Sequence, residues 1–283
     1  MERTPRRNTM RSLAVAFAAV GLAAALAGCG EAGVAAGDPA EHPYDGPLYV
    51  DRGEAAHPRA GAAGNVVDCA TWGAGGNSGR GVYGEGATAD SPAKALEVAH
   101  SELGFGGVQE GLLVAKEEDD RVLYVVEVGG VIKQAVIVRD GPATKGAGGT
   151  GWYVESWAHC DYSELPRAFT DSIGLQIWTD STGQSVPTKA IESWVGPEHC
   201  DWQSMIFLTL GKDTYVRDPQ PGLAEYFADP YDPHAKLPDD AVDTGYERDG
   251  GHLWLAPDKK AAYVGTTDDV EVWPRTVDRL GCA

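Results

Sequence analysis

The chain has 283 residues, a formal net charge of −19 at pH 7 and 43% hydrophobic residues. A surface this acidic repels phosphate backbones, so nucleic acid is excluded as a partner. The length and apolar content suffice for a packed core of one or two domains.

Arg3, Arg6, Arg7 and Arg11 precede an apolar stretch from Leu13 to Ala27, which ends in Leu26-Ala27-Gly28-Cys29. A basic head, an apolar core and a small-residue end form an export signal. The apolar stretch is shorter than the roughly 20 residues that span a bilayer. Its last four residues resemble the lipobox of bacterial lipoproteins. That resemblance implies that residues 1–28 are a signal peptide and that Cys29 becomes the first residue and carries acyl chains. The chain is then expected at the cell membrane, on its extracytoplasmic face, anchored through the lipid on Cys29. Asn8-Thr9-Met10 lacks the apolar pair of a twin-arginine signal, which favours general secretion. Removing four Arg and one Glu with residues 1–28 takes the charge from −19 to −22.

Residues 29–65 are rich in Gly, Ala, Pro and acids and have no apolar period. They are predicted to be a disordered, lipidated tether, spanning roughly 30–35 Å as a flexible coil.

Residues 66–168 are predicted to form an α+β domain. Gly73 to Gly86 reads as a glycine-rich surface loop. Ser91-Pro92 is an N-cap followed by proline at the first helical position. Leu96, Ala99 and Leu103 then recur at helical spacing before Gly104. The β-runs Leu112–Lys116, Arg121–Val128, Val131–Arg139 and Trp152–His159 follow, with Gly129-Gly130 as a two-residue hairpin signal. A helix over a four-stranded meander is a small α+β layer.

Residues 169–283 are predicted to be a second, mainly antiparallel β domain. Its runs are Leu175–Thr179, Met205–Leu210, Thr214–Val216, Leu253–Leu255, Ala261–Val264 and Val270–Trp273. The proline-rich stretch 218–249 reads as an ordered excursion with little regular structure, and excursions of that length are often functional. Tyr226, Phe227, Tyr231 and Tyr246 stand among its acids and are the candidate interaction residues. The fold class is therefore α+β and β-rich.

Besides Cys29 there are four cysteines, Cys69, Cys160, Cys200 and Cys282. An even number in an exported chain predicts two disulfides. Cys69–Cys160 with Cys200–Cys282 staples each predicted domain, each bridge contributing about 4.5 kcal/mol in the chain-entropy model. Cys160–Cys200 with Cys69–Cys282 would instead tie the halves together.

One element is doubled. Glu155-Ser156-Trp157 precedes His159-Cys160-Asp161, and Glu192-Ser193-Trp194 precedes His199-Cys200-Asp201. A zinc site is the sharp reading, but an oxidised cysteine is no thiolate ligand, so no metal and no other cofactor is predicted. Gly79-Arg80-Gly81-Val82-Tyr83-Gly84 matches GxGxxG without the flanking strand and helix of a dinucleotide site. Gly76-Asn77-Ser78-Gly79 is similar to a serine-protease nucleophile loop, without recognisable surroundings for the base and its acid. Asp229, Asp232, Asp239, Asp240 and Asp243 are oxygen ligands suited to calcium, without the EF-hand spacing.

The segment Gly151 to Asp161 with Glu164-Leu165-Pro166 resembles a stretch of uncharacterised secreted lipoproteins of actinobacteria. So do Leu237 to Ala241, Asp243 to Tyr246 and Leu253 to Asp258, continuing to Gly281-Cys282. That group implies no activity. The expectation is a membrane-anchored binding module with an unknown envelope or extracellular partner and no catalytic residues. A cell-wall or peptide hydrolase using Glu155 or Glu192 is one alternative, and a structural envelope protein is another.

Overall fold

A computed structural model describes residues 38–51, 53–77, 88–103, 111–142, 149–277 and 280–281. The leader, Cys29, the GxGxxG match and Cys282 lie outside the described residues. The architecture is α+β and β-rich, with three antiparallel sheets.

The first sheet has five strands in the order β1-β5-β4-β3-β2. They are β1 (Trp72–Asn77), β2 (Leu113–Glu118), β3 (Arg121–Val128), β4 (Val131–Pro142) and β5 (Thr150–Cys160). Gly129 and Gly130 turn β3 into β4 with φ of 60° and 77°, the left-handed values that a type I′ hairpin needs. From Val122 to Val126 every residue is buried, so both faces of β3 are apolar and both must be covered. Helix α2 (Pro92–Leu103) covers one face, packing Ala95, Leu96 and Ala99 on Val122, Tyr124 and Val126. The Ser91 hydroxyl accepts from the Lys94 amide at its N-terminus, as the N-cap reading expects.

The other face corrects the predicted tether. Ala40, Leu48, Ala60 and Ala62, with short helix α1 (Ala63–Val66), pack on Leu123, Val125 and Ile137. Residues 38–51 and 53–65 are part of the fold. The segment also hydrogen-bonds to edge strand β2: the amides of Ala40 and Tyr44 donate to the carbonyls of Val114 and Ala115. The sheet needs a second apolar cover, and a few alanines and one leucine in a polar stretch supply it.

The first five residues of the predicted glycine loop, 73–77, are likewise in strand β1, beside β5. A Cβ on Gly75 would lie 2.6 Å from the Ala60 Cβ, and one on Gly76 2.7 Å from the Trp157 indole nitrogen. These glycines serve close packing.

The second sheet, β10-β9-β8-β6, comprises β6 (Leu175–Gln176), β8 (Ile191–Val195), β9 (Ile206–Leu210) and β10 (Asp213–Arg217). The third, β11-β15-β14-β13-β12-β7, comprises β7 (Thr179–Asp180), β11 (Asp232–Ala235), β12 (Val242–Arg248), β13 (Gly251–Leu255), β14 (Ala261–Gly265) and β15 (Val270–Pro274). Their inner faces meet in a sandwich core of Trp178, Ile191, Leu208, Tyr215, Leu253 and Trp273. The predicted strand Leu175–Thr179 is split: the chain leaves one sheet after Gln176 and enters the other at Thr179. Ile177 and Trp178 on that crossing are both buried, and Trp178 joins the core between the sheets. Stretch 218–249, expected to hold little regular structure, supplies a 3-10 turn (Pro221–Tyr226) and strands β11 and β12.

The first sheet lies before residue 168 and the other two after it. Asp161 bridges them, accepting from the amide and hydroxyl of Thr188 at 2.9 and 2.8 Å. Cys69–Cys160 is a disulfide that joins the approach to β1 with the end of β5. Cys200 is also disulfide-bonded.

Candidate functional site

A cleft of about 240 Å³ opens between the second and third sheets, lined by Trp178, Arg217, Arg248, Gly251, Glu271 and Trp273 among others. The β period places these side chains. Arg217, Arg248 and Glu271 each stand two residues from a core aromatic: Tyr215, Tyr246 and Trp273. Alternation therefore turns all three charges toward the inter-sheet side. Gly251 shares that parity with buried Leu253, and the adjacent Gly265 adds no side chain either.

The charged groups hold each other in fixed geometry. Arg217 donates from Nε and Nη2 to the two oxygens of Glu271, at 2.7 and 2.9 Å. That pairing raises the guanidinium pKa above its usual value, against the effect of burial. The Trp273 indole N–H donates to the same carboxylate at 2.8 Å. Arg248 donates to the Ile177 carbonyl at 3.1 Å and pairs with Asp249 at 3.1 Å. Ser193 donates to Gln176 Oε1 at 2.8 Å, which fixes the facing of the Gln176 amide.

Trp178 breaks this pattern. It is 1% exposed, and its indole N–H is buried with no hydrogen-bond partner. A buried donor left unpaired costs about 1–3 kcal/mol. That N–H has essentially no accessible surface, so the cleft does not reach it in this arrangement.

The four candidate interaction residues are not brought together. Tyr226 is the exposed end of the 3-10 turn, and Phe227 packs with Trp202, Phe207 and Val216. Tyr231 and Tyr246 pack against the sandwich core. Of the four, Tyr231 adjoins the cleft through its hydrogen bond with Arg217, and burial raises its hydroxyl pKa.

Among the described residues, the histidines of the doubled element join no converging group of metal ligands. His159 Nδ1 lies 2.6 Å from the Cys160 carbonyl, which can only accept, so Nδ1 carries a proton. Burial lowers the His159 pKa and favours the neutral ring. Glu155 accepts from Arg121 at 2.8 and 3.1 Å and from Arg139 at 3.3 Å, in the first sheet. Glu192 belongs to the second sheet, where burial and then Asp161 raise its pKa. Among the described residues, one set of three candidate metal ligands converges: Glu41, His42 and Glu127, with ligand atoms within 4.8 Å of one another. There His42 donates its amide to Glu127 at 3.2 Å, which clasps the N-terminal segment to β3. The aspartates of stretch 218–249 form no such group among the described residues.

The sequence carries a signal for the cleft: charges two residues from core aromatics on three separate strands. Trp178 carried none, because its place depends on the chain changing sheets. Comparison with protein-family models, with curated proteins and with solved structures finds no match for this chain.

Proposed function

We propose that this chain is an exported lipoprotein, held by acyl chains on Cys29 at the extracytoplasmic face of the cell membrane, and that its folded part is a binding module. The export reading is supported by the basic head, the apolar core and the lipobox-like Leu26-Ala27-Gly28-Cys29. The observation that carries the binding reading is a cleft of about 240 Å³ between two sheets whose arginine and carboxylate groups are held in fixed ion pairs. Ligand sites are concavities that combine apolar lining with a few fixed polar groups, and this cleft holds both kinds of residue.

A hydrolase is the second reading, and Glu192 favours it, because a raised carboxyl pKa is what a general acid needs. Glu192 faces outward on β8. The other candidate acid, Glu155, is engaged by two guanidinium groups in a different sheet.

Chemical crosslinking in cells followed by mass spectrometry tests the binding reading. A reproducible partner or wall fragment is expected with the native chain and is lost with Gly251→Val, which fills the cleft. Capture that ignores this substitution, or no selective capture, overturns the reading.

A further inference from the structure

We propose that Glu41, His42 and Glu127 form a site for one zinc ion on the first sheet, independent of the cleft described above. The site is built around Glu127. This residue follows Leu123 and Val125 on the face of β3 that the N-terminal segment covers. Its side chain is 7% exposed. Burying a carboxylate is costly unless a positive group meets it. Among the described residues no lysine or arginine lies within ion-pair distance of Glu127, and its hydrogen-bond partners are both on His42. The Glu41 carboxylate joins them, with all three ligand atoms within 4.8 Å of one another. Two acids brought that close favour a cation, in a chain already at −19.

The backbone holds the set in place. The amides of Ala40 and Tyr44 donate to Val114 and Ala115 at 2.9 and 3.1 Å, so Glu41 and His42 are pinned between two anchors on the sheet edge. The imidazole lies beside the turn from β3 to β4. A Cβ on Gly130 would come to 3.2 Å from its Cε1, so the bare glycine makes room for the ring.

Distance and ligand type select the ion. His42 Nδ1 and Glu127 Oε2 are 3.5 Å apart, at the outer limit of a hydrogen bond. Two ligands on a tetrahedral zinc, each at about 2.0–2.1 Å, stand about 3.3–3.4 Å from each other. Glu41 is exposed, so rotation of its side chain brings the third ligand in. Imidazole with carboxylates suits zinc, whereas calcium takes oxygen ligands. Three protein ligands leave the fourth position to water or to a group from outside. No cysteine takes part, so the Cys69–Cys160 bridge does not compete with the site. His42 and Glu127 are 85 residues apart in sequence, so bound zinc ties the N-terminal segment to β3 and stabilises the fold.

The test is zinc titration of the untagged mature protein, stripped with a chelator, followed by calorimetry and by thermal unfolding. A single zinc per chain is expected, with a Tm that rises with zinc concentration. Losing even a hydrogen-bond partner of a ligand costs about 10–100-fold in metal affinity, so His42→Ala, Glu41→Gln and Glu127→Gln should each weaken zinc at least tenfold. Glu41 and His42 are exposed, so their variants read the site without disturbing the core. No zinc binding, a Tm that zinc leaves unmoved, equal affinity in His42→Ala, or the same response to calcium overturns the proposal.

Discussion

Arg217 and Glu271 join β10 to β15 by two hydrogen bonds of 2.7 and 2.9 Å, so one ion pair spans the seam between two sheets. Glu271 also holds the Trp273 indole. Glu271→Gln removes the charge while keeping the shape. Because Arg217 is 41% exposed, solvent screens the pair, and a loss of about 1 kcal/mol is expected rather than the full value of a buried ion pair. Urea unfolding measures this. An unchanged midpoint would show that the pair adds nothing to joining the sheets.

Leu48 is 1% exposed and sits under the first sheet, in a stretch whose composition reads as a tether. Leu48→Ala is expected to cost about 2–5 kcal/mol, the range for emptying a packed leucine site. In a true tether the same substitution would cost nothing measurable. Thermal or urea unfolding of the mature chain separates the two outcomes.

Leu48 and Val122 also show where the sequence was legible. The alternation and turns of β2 to β5 and the capped helix α2 are local properties, and they can be read from spacing. Full burial from Val122 to Val126 was readable too, since a strand apolar at both parities needs two covers. What supplies the second cover is not local: Ala40, Ala60 and Leu48 reach it from far along the chain. Gly75 and Gly76 look like a loop because glycine is scored by its freedom, whereas here the contact with Ala60 and Trp157 sets its use. Strands β11 and β12 lie among prolines and acids, and they form because β15 and β13 offer edges to pair with.

Two carboxyl groups predict opposite pH behaviour. Burial pushes Asp161 up, but hydrogen bonds from Thr188 and Ser163 outweigh it and hold the pKa below its ordinary value. Its contribution is present above the unfolded value of about 3.9 and is lost as pH falls through the lower folded value. Glu192 is raised by burial and by Asp161, so its contribution is fullest below the unfolded value and is lost as pH rises through the folded one. Glu192→Gln is therefore expected to stabilise the protein near pH 7, and Asp161→Asn to destabilise it there. Unfolding midpoints for both variants at pH 4 and pH 7 check the signs. A stabilising Asp161→Asn would refute the bridge to Thr188.

Cys69 and Cys160 are 91 residues apart in sequence and bonded in the fold. Replacing both with serine is expected to cost about 2–5 kcal/mol, the usual loss for a native bridge. Peptide mapping without reductant should yield a Cys69–Cys160 peptide. A Cys160–Cys200 peptide would contradict the fold, because it would free Cys69 from the end of β5.

Cys29 follows Leu26-Ala27-Gly28, at the end of the proposed export signal. Cys29→Ser should abolish acyl attachment and release the chain from membranes, while urea unfolding of the released chain matches that of the native mature domain. A serine variant that stays in the membrane fraction and matures normally would remove the lipid anchor from this account and leave the fold and its cleft untouched.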